Sequence, residues 1–409
     1  MNRNCKKYSA TGLILLIYVA FMSLGLPDGL LGVAWPDMRA NFGLPLDALG
    51  ILLFASTTGY LLSSFFNGVL VKKMGVARLL SASCCATGLA LLGYTLVPVW
   101  WLLPPLAVVA GLGAGAIDAG LNTYVDKNFN EDLMQWLHAS FGVGITIGPI
   151  IMSTGLRVTN SWRAGYIVVS GIQILLAVIF ILTVPMWNIK DTGNNSSKKK
   201  DSPDNIDYPD IKKCLSPSLG QTLKNYSAWL SIALFFIYTG LELSLGHWAY
   251  SLLTESRGIA PASAGFWVSA YWGTFTIGRI LAGFLSRNIS SIKMLEGGVI
   301  LGIAGSILLC WGPVGWVSLT GVVLIGFAIA PIFPALVSST SYRVGRDHSS
   351  NTIGIQIAAA GLGAALLPGL AGVLARQMTL EVIPVFILCL FLIFYILYRI
   401  SYKKREACT

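Results

Sequence analysis

Three carboxylates stand where a carboxylate is hardest to keep. Asp28, Asp118 and Glu242 each fall well inside an apolar stretch of the chain. An acid at the centre of a membrane-spanning segment costs about 2.5–3.5 kcal/mol on insertion scales, so each calls for a task that an apolar residue cannot perform. Taking a carboxylate out of water favours its protonated form. An acid at such depth can therefore load a proton from one wet side and release it when rehydrated on the other.

The neighbours of each acid sharpen this. Asp28 sits in Gly25-Leu26-Pro27-Asp28-Gly29-Leu30-Leu31-Gly32, where Pro27 removes a helical N–H. A helix broken or pinched at the acid, lining a cavity, is expected; the plainer reading is an acid bonded to freed backbone at a kink. Asp118 follows Gly111-Leu112-Gly113-Ala114-Gly115. Positions 111, 115, 118 and 122 share one helical face, and Asn122 can both donate and accept. A glycine zipper packing two helices is the alternative, although a zipper needs no acid. Glu242 has Tyr238 and Gly246 four residues to either side, then His247 and Trp248; the next apolar stretch adds Trp267, Tyr271 and Trp272, with Trp272, Thr276 and Arg279 along one stripe. Rings that cover C–H faces, beside groups that bind hydroxyls, suit a polyol. Interfacial belt aromatics and an arginine snorkelling to the surface are the competing readings. His138 opens another apolar stretch and comes level with Asn122 if the two helices pack; otherwise it is a satisfied polar group near a helix end. Pro331 and Pro334, after Gly326, suggest a gate, and Gln356 offers a further hydrogen-bonding group.

The elements that must hold these residues are transmembrane helices. Of 409 residues, 55% are apolar and only 11% charged, far from the roughly 25% charge of soluble domains. A soluble globule, a disordered chain and a collagen-like repeat are excluded together. Stretches long enough to cross about 30 Å of hydrocarbon recur over 11–35, 47–71, 77–97, 100–125, 134–158, 163–187, 228–253, 261–286, 291–312, 315–342, 350–375 and 380–401. The expectation is an all-α integral membrane protein of twelve transmembrane helices in two six-helix bundles. Short alternating segments of a β-barrel are not seen. With the N-terminus placed in the cytoplasm, only Arg39, Arg157, Arg163, Arg257 and Arg376 fall in outer loops, and Arg279 lies within a span; the remaining Lys and Arg are inside. The net charge of +10 thus reports orientation and contact with lipid headgroups, not nucleic acid. Arg3, Lys6 and Lys7 ahead of an apolar run imitate a signal peptide, but the run is long and carries Asp28, so it is read as an uncleaved first helix.

Residues 188–227, rich in Asn, Lys, Asp and Pro, divide the chain into an N-terminal bundle (1–187) and a C-terminal bundle (228–409). The turn Gly68-x-x-x-Lys72-Lys73-x-Gly75-x-x-Arg78 has a counterpart in Gly278-Arg279-x-x-x-Gly283-x-x-x-Arg287. That weak internal likeness suggests duplicated halves around a midplane site. The seven cysteines lack metal-ligand spacing and read as apolar fillers. No metal and no cofactor is expected.

The Gly68–Arg78 turn resembles the cytoplasmic signature of the major facilitator superfamily, with Lys72 where an acid is usual. Four further stretches resemble its fucose:proton symporter family, which includes glucose/mannose symporters: Gly113-Ala114-Gly115-Ala116-Ile117-Asp118-x-x-x-Asn122, Tyr238-Thr239-Gly240-Leu241-Glu242, Gly278-Arg279-Ile280-Leu281-x-Gly283-Phe284, and Ile325-Gly326-x-x-Ile329-Ala330-x-Ile332-Phe333-Pro334. Asp28 lies where that family's helix-1 acid is expected, and Asp118 stands where Glu is commoner. The resemblance implies alternating access, with Asp118 as the main proton carrier and Asp28 coupling protonation to substrate. Together the readings make Asp118, Asp28 and Glu242 the proton-coupling acids. Asn122, His138, Tyr238, Trp272 and Gln356 bind substrate, and Gly68, Lys73, Gly75, Arg78 and Arg279 serve the gate. The expected protein is a monomer in the cell membrane that takes up a hexose or deoxyhexose with a proton. Efflux of amphipathic compounds is the main rival, sodium remains open as coupling ion, and a membrane enzyme or a non-transporting sensor has little in the sequence to support it.

Overall fold

The computed structural model describes residues 3–129, 131–187, 219–286, 288–311 and 315–406. The expected linker over 188–227 lies outside the described residues as far as 218. The first half comprises α1 (Arg3–Phe42), α2 (Leu49–Met74), α3 (Val76–Leu96), α4 (Leu103–Asn128), α5 (Glu131–Thr159) and α6 (Arg163–Leu182). The second comprises α7 (Tyr226–Ser251), α8 (Pro261–Leu285), α9 (Ser291–Trp311), α10 (Trp316–Ile329), α11 (Arg346–Gln377) and α12 (Val382–Glu406). Among the described residues there is no strand. Among the described residues, eleven helical stretches are long and apolar enough to cross a membrane, that of α10 counted together with the helix that follows it, over Trp316–Ser338. The twelfth long helix is α8, whose 25 residues reach about 37 Å; its Trp, Tyr, Thr and Arg279 side chains dilute the hydropathy that marks the others.

Two local expectations change. α1 runs unbroken from Arg3 to Phe42 with Pro27 and Pro36 inside it, so no break occurs at Asp28. The glycines there serve packing instead. A Cβ on Gly25 would fall 2.4 Å from the Phe141 carbonyl oxygen, and one on Gly29 2.5 Å from that of Ile145, so α1 and α5 meet backbone to backbone. The break expected from the helix-10 prolines does occur: α10 stops at Ile329, and the chain resumes helix at Ile332–Ser338 with Pro331 as its cap.

The halves are joined most closely at the end of the bundle opposite the termini. One core cluster there includes residues of both halves, Trp35, Met38 and Leu49 with Trp248, Ala249 and Leu252; a second, around Ile17, Phe21 and Leu121, belongs to the first half alone. Glycines thin the shared seam. A Cβ on Gly32 would lie 2.9 Å from the backbone of Gly246 and His247, and one on Gly50 3.1 Å from the Gly369 Cα. Two ion pairs cross the same rim, Arg39 with Glu255, and Arg376 with Asp47 at 3.1 Å. Within the second half at this end, the buried Arg257 donates to Glu381 through Nε (3.0 Å) and Nη2 (2.7 Å), to the Leu309 carbonyl oxygen (3.0 Å) and to Ser318. The hydrogen bonds from Arg257 hold the Glu381 carboxyl below its ordinary range.

Candidate functional site

The site is assembled from one polar group in each half. α2 carries Ser56, Tyr60, Ser63, Ser64 and Asn67 at helical spacing, and α4 presents Gly111 and Gly115 to it. A Cβ on Gly111 would fall 2.0 Å from the Ser56 carbonyl oxygen, and one on Gly115 2.3 Å from that of Tyr60. Only glycine permits this approach. Its result is that the Tyr60 hydroxyl donates to the Asp118 carboxylate in a short hydrogen bond. One turn further, Asn122 Nδ2 donates to the other Asp118 oxygen at 2.9 Å. The zipper and the acid are thus parts of one arrangement: the glycines bring α2 close enough to supply a donor.

In the second half, Glu242 on α7 faces Arg279 on α8, with Oε1 and Nη2 4.0 Å apart. The Arg279 guanidinium lies over the Phe275 ring at 4.1 Å, a cation–π contact that holds it inward instead of letting it snorkel. Tyr271 fixes the α7 backbone from the same helix, donating to the Glu242 carbonyl oxygen at 2.8 Å. Trp272 is wholly buried against Gly246, where a Cβ would come within 2.3 Å of its ring.

Asp28 connects the two. It is exposed although Leu26, Gly29 and Leu30 around it are buried, and it lies within electrostatic reach of both Asp118 and Glu242. The space it opens on is therefore the interior cleft, not the lipid face. Carboxylates from α1, α4 and α7 adjoin that cleft. His138 on α5 is exposed as well and lies within electrostatic reach of Arg279; its ring meets Phe21 edge-on at 5.5 Å rather than Asn122.

Tyr238 stands with the Glu242–Arg279 pair, its side chain within hydrogen-bonding reach of both, and it and Gln356 also make contacts beyond the site. The buried Tyr238 hydroxyl donates to the Ile329 carbonyl oxygen at 3.1 Å, beside the break after α10. Gln356 is buried; its Nε2 donates to Ser231 Oγ at 2.6 Å, and its oxygen accepts from Thr340 at 3.2 Å. In this conformation both tie helices of the second half together. Gly68 and Lys73 lie in the last turns of α2, Gly75 joins α2 to α3 with φ 78°, and Arg78 lies in the first turn of α3; all four are exposed. No ion pair to Lys73 or Arg78 forms among the described residues. Sequence reasoning missed Tyr60, although the α2 polar stripe announced it. It also missed Asp47 and Glu255, whose partners stand far away in the chain.

Comparisons with known proteins agree with this architecture. The family model described as Major Facilitator Superfamily matches residues 17–355 and 230–408. A glucose/mannose transporter of Bacillus subtilis (strain 168) is 25% identical over 377 residues, 90% of this chain and 89% of its own. Sodium-dependent glucose transporter 1 of Homo sapiens is 24% identical over 88% of this chain and 73% of its own. The solved structure of the E. coli fucose:proton symporter superposes with a TM-score of 0.60 at 16% identity, covering 95% of this chain and 98% of that one.

Proposed function

The chain belongs to the major facilitator superfamily, a family of membrane transporters and not of enzymes, and on that premise we propose that it carries a monosaccharide into the cell together with a proton. The observation that carries the reading is the Asp118 carboxylate. It is fixed by Tyr60 and Asn122 and adjoins a cleft that also holds Asp28 and the Glu242–Arg279 pair of the opposite half. Supporting it, relatives matched over 88–90% of this chain are named as glucose or glucose/mannose transporters.

In this reading the termini lie in the cytoplasm of a cell-membrane protein, so the closed seam is the outer gate and the conformation faces inward. Asp118 takes a proton when the cleft faces outward. Its neutral form lets the halves close around a sugar without burying an unpaired anion. Opening inward rehydrates the acid and releases the proton. Asp28 couples the two halves because it senses both Asp118 and Glu242. Asn122 and His138 contact the sugar, while Trp272, buried against Gly246, backs the site. One charge crossing 100 mV supplies about 2.3 kcal/mol, which at about 1.4 kcal/mol per tenfold sustains a gradient near fiftyfold. A single proton per sugar suffices.

The test is uptake of a panel of hexoses and deoxyhexoses into vesicles under an imposed proton gradient, with sodium omitted. Wild type concentrates one of them; Asp118→Asn equilibrates it without concentrating it. Concentration by Asp118→Asn, or accumulation that needs sodium, overturns the proton assignment. Failure of every sugar overturns the substrate class.

A further inference from the structure

We propose that the seam between α2 and α11 holds one anionic phospholipid, with its headgroup at Lys72 and an acyl chain in the groove beside Leu362. A groove of about 350 Å³ lies there, lined by Phe54, Thr57, Thr58, Leu61, Leu62, Phe65 and Leu362. Its walls are apolar and lie within segments long and apolar enough to span a bilayer, and its Phe54, Leu62, Phe65 and Leu362 are exposed large hydrophobics, as a surface met by hydrocarbon would be.

The register of α2 identifies the occupant. Phe54, Thr58, Leu61, Phe65 and Lys72 are spaced by four, three, four and seven residues, which keeps them on one stripe of a helix with 3.6 residues per turn. Gly68 falls on that stripe between Phe65 and Lys72, and nothing lies within 4 Å of the position its Cβ would take. The path from groove to lysine is therefore notched, not blocked. From Thr58 to Lys72 the helix rises about 21 Å, comparable to one leaflet of a hydrocarbon core about 30 Å thick plus its headgroup zone. Phe65, 82% exposed, stacks edge-on against Phe66 at 5.1 Å and walls one side. Lys72 is exposed and has no ion pair among the described residues. A cation at headgroup depth, in line with an apolar slot at chain depth, matches a lipid whose phosphate carries net charge. A zwitterionic lipid would satisfy the slot but gain little from the lysine. Since Leu362 belongs to the second half and the rest of the lining to the first, the seated chain touches both.

Native mass spectrometry of the purified full chain, titrated with dioleoyl phosphatidylglycerol and dioleoyl phosphatidylcholine, tests this. Wild type is expected to bind the glycerol lipid about fivefold more tightly, the worth of one lysine near an anionic headgroup. Lys72→Gln removes the preference, Lys72→Arg keeps it, and Thr58→Trp weakens both lipids by filling the slot. Glycerophosphoglycerol, which has no chains, fails to compete. Equal affinity of wild type for the two lipids, an unchanged preference in Lys72→Gln, or full competition by the chainless headgroup would each overturn the proposal. Unaltered binding by Thr58→Trp would refute the groove as the seat of the chain.

Discussion

On the proposed mechanism, Tyr60 sets how readily Asp118 gives up its proton. Its hydroxyl donates to the carboxylate, and a hydrogen bond to a charged group is worth about 1.5–3 kcal/mol. Tyr60→Phe removes that donor from the ionised acid while keeping the ring. Proton release on the inner side is then disfavoured, and proton-driven accumulation should fall about tenfold or more. Sugar–sugar exchange across the same vesicles, which needs no net proton release, should fall much less; equal loss of both would assign Tyr60 a purely structural role. A second carboxylate titrates where water reaches it. Arg257 depresses Glu381, so the stability this pair contributes is fully present above the ordinary glutamate value near pH 4.3. It disappears as pH falls through the lower folded value. Glu381→Gln should destabilise the protein by about 1–2 kcal/mol at neutral pH, a figure reduced for the solvent exposure of the carboxylate. Melting curves of the variant and wild type should converge only once the pH has fallen below that folded value. The three membrane acids were legible in the sequence because burying a charge in a span is costly whatever surrounds it. Tyr60 and Glu381 were not singled out, since a tyrosine in a span or an acid in a loop is ordinary until its partner is seen.

Among the helices, the prolines divide: one is carried through an unbroken helix packed by glycines, and one stops its helix. Pro27 suggested a break in α1, but a helix tolerates the loss of one N–H when close packing on both sides holds it, and α1 is so held by α5. Pro331 does stop α10, because the chain there also has a second proline three residues on and the Tyr238 hydroxyl to satisfy the Ile329 carbonyl. Periodicity alone could not separate these two outcomes. The location of most helices, by contrast, followed from apolar length, the one property a bilayer reads directly. α1 nevertheless runs well beyond 11–35, α10 stops short of 342, and α8 is too polar to stand out by hydropathy. The α2–α4 contact gives the sharpest test at this scale. Gly111→Ala sets a methyl 2.0 Å from the Ser56 carbonyl oxygen, so the backbones must separate. A cost of about 1–3 kcal/mol is expected, seen as a lower melting temperature. Accumulation should fall further than the melting shift explains, because Tyr60 is carried away from Asp118. Gly171→Ala, where nothing lies within 4 Å, is the control and should leave both unchanged.

At the level of the whole molecule, two kinds of contact close the seam opposite the termini, and magnitudes rank them. The rim pairs Arg39–Glu255 and Arg376–Asp47 are partly exposed, with side-chain accessibilities of 27% and 28% in the first and 56% and 23% in the second. Pairs of that kind are worth about 0–1 kcal/mol each. The shared apolar cluster and the glycine approaches beneath them involve whole buried side chains, each worth about 1.5–3 kcal/mol. Closure should therefore depend on the fit of the helices more than on the charges. His247, 4% exposed beside Gly32, provides the probe: His247→Cys in a background with the native cysteines replaced, labelled by a membrane-impermeant maleimide. Adding Arg39→Gln and Arg376→Gln together should raise the labelling rate by no more than about thirtyfold, the equivalent of about 2 kcal/mol. Adding Gly50→Leu instead should make the cysteine fully reactive, because the new side chain meets the Gly369 Cα 3.1 Å from its own Cβ and the halves cannot seat. Labelling that rises as far with the charge variants as with Gly50→Leu would mean that the ion pairs, not the packed seam, hold the gate.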